Sequence, residues 1–192
     1  MKRKIRCFTI GHSTREIEEF VSLLKIHAIE ALVDIRAFPV SRRNPQFNSD
    51  YLKAHLSREN IEYIWSGKEF GGYRSKAHGL GKNSPNKGWK TEGFRIYADY
   101  MLSGGFQNAA EKLIELVKKK TTACMCAEKF HWRCHRKLLS DYLLSRQVEV
   151  WHIIERDTLV RHELTKFARI KDGLLTYPPQ DDWGGNQEKN IH

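Results

Sequence analysis

The feature that most constrains the fold is a junction that recurs at three places in the chain. At each place a short apolar run ends in charged side chains and a helical pattern follows; the runs cover residues 5–10, 31–36 and 121–126. Short apolar runs are typical of buried strands, and stripes spaced by three or four residues are typical of amphipathic helices. Further strands are predicted at 61–65 and 148–154. Because strands that alternate with helices favour a parallel sheet, the sequence predicts a three-layer α/β protein with a mostly parallel central sheet of about five strands flanked by helices.

Length and composition favour a single soluble domain. A chain of 192 residues fits one domain, and an apolar content of 40% is ordinary for globular proteins. The sequence has no apolar run long enough to span a membrane, and its N-terminus lacks the apolar core of a signal peptide. We therefore expect a cytoplasmic protein, with a domain at residues 1–170 and an exposed C-terminal tail at 171–192.

The positive charge favours a polyanionic ligand. The net charge is +10, and basic residues cluster near 36–43 and again at 68–90, where six of them accompany a single acid. Charge alone indicates association rather than fold, but such clustering favours a phosphate-bearing ligand, either small or polymeric. The segment 66–93 is also long and has little hydrophobic periodicity, which is typical of a functional lid or of disorder.

The polar residues of the three junctions are expected to share one cleft. In a right-handed βαβ succession the C-terminal ends of the strands lie along one sheet edge, where ligands bind in open α/β sheets. Ser13 and Glu16 also have the spacing of a capping box, so the first helix is expected to begin there. The residues that this argument brings together are His12, Ser13, Arg15, Asp34, Arg36, Cys126, Glu128, Cys134, His135 and Arg136, with Arg42 and Arg74 in the loops beyond.

The types of these residues suggest their roles. Glu128 or His12 can act as a general acid or base, and the N-terminus of a helix beside basic residues favours a thiolate at Cys134. Arginine side chains can contact phosphate in a bidentate manner, and backbone N–H groups before a helix can hold an anion. The candidate catalytic residues are Asp34, Glu128, Cys126, Cys134 and His12. The candidate ligand-binding residues are Ser13, Arg15, Arg36, Arg42, Arg74, His135 and Arg136.

Four functions remain open. The leading hypothesis is an enzyme that acts on a nucleotide or nucleic acid, and the second is a nucleic-acid binder without catalysis. The third is a metal site at Cys126, His131, Cys134 and His135, although this spacing differs from that of common zinc ligands. The fourth is a dithiol switch of Cys126 and Cys134, although a two-residue spacing is the usual signature. His152, in the fifth predicted strand, is expected to be packed rather than to be a ligand. The sequence leaves the cofactor, if there is one, unidentified.

Several motifs also resemble those of a known family. The resemblance to the domain-of-unknown-function 488 family spans residues 5–165 and rests on Gly11-His12-Ser13-Thr14-Arg15, Val33-Asp34-Ile35-Arg36, Gly71-Gly72-Tyr73-Arg74, Cys126-Ala127-Glu128 and Cys134-His135-Arg136, in that order. It implies a small cytoplasmic α/β protein from a family whose biochemical activity is largely unassigned. Members of that family often have proline at the position of His131, so the loop before Cys134 is expected to have a different shape here.

Overall fold

The central sheet contains six strands. A computed structural model describes residues 5–179 of the chain. The strands are β1 (Arg6–Gly11), β2 (Ala31–Asp34), β3 (Glu62–Trp65), β4 (Thr122–Cys126), β5 (Glu149–Glu155) and β6 (Thr158–Arg161). They are ordered β3-β2-β4-β1-β5-β6; the first five are parallel and β6 is antiparallel to β5. The predicted α/β class is confirmed, and the extra strand arises because the chain turns back directly after β5.

Helices cover both faces of the sheet. They are α1 (Ile17–Ile26), α2 (Ser49–Arg58), α3 (Gly67–Phe70), α4 (Glu92–Met101), α5 (Gly104–Lys119) and α6 (Arg136–Ser145). Phe20 of α1 and Leu52 of α2 belong to the core on one face, whereas Tyr97, Phe106 and Leu139 of the last three helices belong to the core on the other. Within the described part of the chain, no helix combines the length and apolar character that a membrane span requires.

The order of the strands creates a crevice at one edge of the sheet. β4 lies between β1 and β2, but the helices that follow β1 and β2 pack on one face and the helix that follows β4 packs on the other. After neighbouring strands, the chain thus continues to opposite faces of the sheet. Ligands of open α/β sheets bind at such switch points. The N–H groups of His12 and Ser13 donate to the carbonyls of Cys126 and Ala127, each at 2.9 Å, so the loops after β1 and β4 run side by side there.

The start of α1 differs from the sequence-based expectation. The helix begins at Ile17 with Glu16 as its N-cap, and no side chain caps it. Ser13 lies earlier, with a φ angle of 52° in the left-handed region, and its N–H is bonded to Ala127. The predicted capping box of Ser13 and Glu16 is therefore wrong, because the pairing of the two loops places Ser13 outside the helix.

The long segment 66–93 is held by a buried carboxylate. Asp99 of α4 accepts hydrogen bonds from the Ser84 hydroxyl (2.6 Å), the Asn86 amide (2.7 Å) and the Leu80 N–H (2.8 Å). These bonds satisfy the carboxylate and fix the path of a segment that has little hydrophobic periodicity.

The C-terminal part of the described chain closes against the same segment. A hairpin of β7 (Arg169–Lys171) and β8 (Leu174–Thr176) leads to Tyr177, which is fully buried and whose N–H donates to Asn86 Oδ1 at 3.0 Å. The sequence instead predicts that Tyr177 lies in an exposed tail, because its contact with Trp89, at 5.2 Å between ring centroids, has no local signature. The rest of the predicted tail, residues 180–192, lies outside the described residues.

The close contact at Gly11 yields a prediction. A Cβ atom at Gly11 would lie 1.9 Å from the Glu128 carbonyl oxygen. We expect Gly11→Ala to lower the free energy of unfolding by about 1–3 kcal/mol, because both backbones are fixed by strand and loop hydrogen bonds. Urea unfolding measures the change.

Gly93→Ala in α4 is the matched control. A Cβ there meets no described heavy atom within 4 Å, and alanine is favoured over glycine in helices by up to about 1 kcal/mol. Equal stability of the Gly11→Ala variant and the wild type would contradict the tight packing of the two loops.

Candidate functional site

Two thiols meet where β4 ends and α6 begins. Cys126 is the last residue of β4, and Cys134 lies two residues before α6. The side chains are 2% and 7% exposed, and their sulfur atoms are 2.8 Å apart. A second pair, Cys7 and Cys124, lies within the core with its sulfur atoms 4.0 Å apart. The structure thus joins two of the predicted site residues.

The His135 imidazole is oriented towards Cys134. Its Nε2 lies 3.3 Å from the Ile35 carbonyl oxygen, and its Nδ1 lies 3.4 Å from Cys134 Sγ. Because a carbonyl only accepts hydrogen bonds, the contact assigns the ring proton to Nε2 and leaves Nδ1 as an acceptor beside the thiol. Gly72 is required here, since a Cβ at that position would lie 2.4 Å from His135 Nδ1.

The surroundings of the thiol pair favour a thiolate at Cys134. Burial raises the pKa of Cys134, but the hydrogen bond from Cys126 and the Arg136 guanidinium and N–H group outweigh burial and lower the pKa to about 7. Burial and the neighbouring Cys134 raise the pKa of Cys126 well above its usual value. The proton therefore stays on Cys126, and Cys134 is the sulfur that can act as a nucleophile.

Arg136 fixes the loop that covers the crevice. Its side chain is fully buried and donates to the carbonyl oxygens of Glu128 and Lys129, the latter at 3.1 Å, and to Thr9 Oγ1 at 3.3 Å. Its Nε has no hydrogen-bond partner among residues 5–179. The guanidinium thus serves the fold and the electrostatics of the thiols, and it does not face solvent as a phosphate ligand.

Asp34 and Arg36 form a buried ion pair. Asp34 is fully buried and accepts from Arg36 Nε at 2.9 Å, from a terminal nitrogen of Arg36 at 2.5 Å and from the Tyr63 hydroxyl at 2.7 Å. Arg36 also donates to the Phe47 carbonyl at 2.8 Å. The groups of the pair are satisfied by protein partners, which points to a structural role.

His12 is attached to this ion pair. Its Nε2 accepts from Arg36 at 3.2 Å, its Nδ1–H donates to the Ser13 carbonyl at 2.9 Å, and its ring stacks on Phe47. Burial, followed by the positive charge of Arg36, lowers the pKa of His12 to about 4. Both ring nitrogens are occupied, so His12 is neutral and bound within the fold.

Two further predicted ligand-binding residues also have protein partners. Arg15 donates to the carbonyl of Gly11 at 2.6 Å and to that of Ile154, and it links the ends of β1 and β5. Arg74 donates to two carbonyls of α3 at 2.9 and 2.7 Å, and it lies 3.9 Å above the Tyr100 ring.

Other predicted residues lie at the surface. Arg42 is exposed, and its guanidinium takes part in no hydrogen bond or ion pair with the described residues. Glu128 is also exposed, and its carboxylate accepts only a long bond from the Phe130 N–H, at 3.4 Å. Ser13 is half-buried. Arg42 and Glu128 are therefore accessible to a ligand, unlike the buried arginines.

Exposed aromatic side chains occur in the loops at the same sheet edge. Phe38, Tyr73 and Trp132 are 70%, 78% and 49% exposed and lie in the loops that follow β2, α3 and β4. The rings of Phe38 and Tyr73 are 6.1 Å apart. From the sequence, Tyr73 is named only within the motif Gly71-Gly72-Tyr73-Arg74, and neither Phe38 nor Trp132 is singled out. Aromatics in polar loops beside basic residues are the signal that could have found them.

A polar cluster that sequence reasoning missed adjoins Arg136 through Thr9. Thr9 Oγ1 lies 2.7 Å from His152 Nδ1, and His152 Nε2 lies 3.0 Å from His162 Nδ1. His162 Nε2 in turn lies 2.9 Å from Asp141 Oδ1. The Asp141 carboxylate accepts from His162 Nε2–H. With one proton on each imidazole, His162 Nδ1 then accepts from His152, His152 accepts from Thr9, and Thr9 accepts from Arg136. The available signal was a histidine within an apolar strand, since buried polar groups need partners.

Comparison with known proteins places the chain in a family. A family model described as domain of unknown function DUF488 matches residues 16–143, which include the thiol pair, His135 and Arg136. The chain belongs to this family. Neither a curated protein nor a solved structure matches the chain significantly.

The buried neutral His12 predicts acid sensitivity. Its pKa is about 4 in the folded protein and about 6.5 when unfolded, so the unfolded state binds more protons between these values. The free energy of unfolding should therefore fall as the pH drops below 6.5, and His12 should account for about 1–2 kcal/mol of the loss at pH 5. Urea unfolding at pH 7 and pH 5 measures this effect.

Two variants isolate the contribution of His12. His12→Gln should be less stable at pH 7 but should lose less stability than the wild type between pH 7 and pH 5. His78→Gln, at an exposed position, should keep the wild-type pH dependence. An unchanged dependence in His12→Gln would show that His12 does not titrate as its burial implies.

Proposed function

We propose that this DUF488 family member is an enzyme that uses Cys134 as a nucleophile on a phosphate-bearing substrate. The observation that carries the proposal is the arrangement at Cys134, with Cys126 Sγ at 2.8 Å and His135 Nδ1 at 3.4 Å. A nucleophile, an adjacent base and a group that orients the base are recurring parts of covalent catalysis. Here the Ile35 carbonyl orients the base.

The proposed reaction begins with proton transfer from Cys134 Sγ to His135 Nδ1. The remaining thiolate is stabilised by the Cys126 S–H and the Arg136 N–H. It then forms a bond to an electrophilic atom of the substrate, while the leaving group departs with its electron pair and takes the proton from His135. Water or another acceptor next displaces the sulfur and restores the thiol. Because Cys134 is only 7% exposed, the reacting group must be small or extended from a larger substrate.

Exposed arginines are the groups that we assign to the substrate phosphate. Arg42, Arg43 and Arg133 are exposed, and no hydrogen bond or ion pair within residues 5–179 uses their guanidinium groups. Arg133 directly precedes Cys134. This assignment replaces Arg36 and Arg136 as phosphate ligands, because both are buried and their terminal nitrogens already bind protein groups.

A second candidate function is binding of single-stranded nucleic acid without turnover. The observation that favours it is the exposure of Phe38, Tyr73 and Trp132 in the loops of the same edge. Bases stack on aromatic rings while basic side chains contact the backbone, and this binding tolerates many sequences. The net charge of +10 supports such a partner. The two candidates differ in whether the wild type converts its ligand to product.

The state of Cys134 can be measured by alkylation. We expect iodoacetamide to modify Cys134 faster than the other cysteines, with a midpoint near pH 7, because the thiolate is the reactive form. Cys126→Ala should move the midpoint to higher pH, since the S–H donor is lost. Mass spectrometry of peptides after timed reaction identifies the modified residue.

Cys134→Ser is the control that assigns the rapid reaction. It should remove the fast phase while circular dichroism remains that of the wild type. A Cys134 that reacts no faster than Cys7, or that titrates at the usual thiol value, would contradict its role as the nucleophile.

Exposed arginines should contribute to nucleic-acid binding. We expect the double substitution Arg42→Ala and Arg43→Ala to weaken binding of a fluorescent single-stranded oligonucleotide by at least tenfold. The slope of log affinity against log salt should fall by about 1.4, which corresponds to two phosphate contacts. Fluorescence anisotropy at several salt concentrations gives both quantities.

A charge-matched control tests whether the position of the arginines matters. Lys53 of α2 and Lys119 of α5 are exposed and line cavities at the N-terminal ends of β3 and β1, opposite to the loops that follow the strands. Their double substitution by alanine removes the same charge. Equal losses in the two double variants would show that binding reflects net charge alone. Product formation by the wild type, lost in Cys134→Ser, separates the enzyme from the binder.

A further inference from the structure

Three histidines from separate parts of the chain converge beside the network of Arg136. His131 lies in the loop before α6, His152 lies in β5, and His162 directly follows β6. One ring nitrogen from each residue lies within 4.8 Å of the other two. His152 and His162 are buried and His131 is half-buried, so the cluster has limited access to solvent through the loop that carries His131.

Two of the rings are already oriented by neighbouring groups. His162 donates from Nε2 to Asp141 Oδ1 at 2.9 Å, which directs its Nδ1 towards His152 Nε2 at 3.0 Å. A carboxylate that accepts from the far nitrogen is the common arrangement behind a metal-bound histidine. Thr9 Oγ1 lies 2.7 Å from His152 Nδ1 and can accept in the same way. Two nitrogens bound to one zinc ion are about 3.0–3.4 Å apart, which is close to the observed separation.

His131 offers an unused nitrogen. Its ring stacks on His152 with 3.5 Å between centroids and 8° between planes, and its buried Nδ1 finds no hydrogen-bond partner among the described residues. A buried polar atom without a partner is costly. Since imidazole binds a metal in the plane of its ring, His131 must rotate about its side-chain torsions to take part. His131 begins the short turn His131–Arg133 and is half-buried, so its ring is less enclosed than those of His152 and His162.

We propose that His131, His152 and His162 bind a divalent transition metal ion of the zinc type, with Asp141 and Thr9 orienting two of the ligands. An all-imidazole set suits zinc, nickel and cobalt, and three protein ligands leave one position open for water or substrate. Binding replaces the hydrogen bond between His152 and His162: the His152 proton moves from Nε2 to Nδ1, and the metal takes both freed lone pairs.

The proposed site is distinct from the thiol site. Its ligands exclude Cys126 and Cys134, whose sulfur atoms contact each other, so it differs from the Cys/His set considered from sequence spacing. The Asp141 carboxylate supplies a negative charge beside the ion and offsets the positive charge of nearby Arg136. The inference does not depend on the proposed enzyme function.

Metal titration of the tag-free, full-length protein tests the site. After removal of metals with a chelator, we expect one Zn²⁺ per chain by elemental analysis and calorimetry. Co²⁺ should give the weak visible absorption of imidazole ligands without the intense near-ultraviolet band of thiolate coordination. His131→Gln should weaken Zn²⁺ binding at least 100-fold, whereas His78→Gln, at an exposed position, should bind as the wild type does.

A ligand exchange provides a positive test. His131→Cys should retain Co²⁺ and should add the thiolate band, because the new sulfur would replace an imidazole of the site. No stoichiometric uptake by the wild type, or unchanged affinity in His131→Gln, would overturn the proposal. A thiolate band in the wild type that disappears in Cys134→Ser would also overturn it, because the metal would then be bound at the thiols.

Discussion

The buried guanidinium of Arg136 is the interaction on which the sheet edge depends. A charge with no exposed surface is costly unless nearby groups compensate for it. Here the carbonyls of Glu128 and Lys129 and the hydroxyl of Thr9 accept its hydrogen bonds, and negative charge at Cys134 provides further compensation. The same contact that closes the loop over Gly11 therefore favours the thiolate. The packing of this loop and the lowered pKa of Cys134 share one physical cause.

The same guanidinium connects two parts of the edge. From Arg136, a chain of hydrogen bonds runs through Thr9, His152 and His162 to the Asp141 carboxylate. A guanidinium lies at one end and a carboxylate at the other, with the two imidazole rings between them. Burial and the neighbouring histidines lower the pKa of His152 to about 2, so the His152 imidazole stays neutral. The thiols and the histidine cluster thus lie in one connected electrostatic environment.

Local patterns predict the elements and the edge, but they do not predict the direction of each side chain. The apolar runs identify the parallel strands, and the junction rule brings Cys126 and Cys134 to the same end of the sheet. The rule also places Arg15, Arg36 and Arg136 there, but all three point inwards. Their direction depends on partners far away in sequence: Thr9 is 127 residues from Arg136, and Ile154 is 139 residues from Arg15. No local spacing contains that information.

The contacts within the histidine cluster also depend on partners that lie far away in sequence. His152 is buried, as its place in an apolar strand predicts, but its partners follow from the position of β5 beside β1 and from the turn into β6. Asp141 lies on the core side of α6 and reaches His162 only after both elements pack on the sheet. A polar residue in an apolar run therefore indicates that a partner exists, while the topology decides which partner it is. At this sheet edge, the topology selects partners that hold the three arginines inside and bring the Cys134 sulfur within 2.8 Å of the Cys126 sulfur.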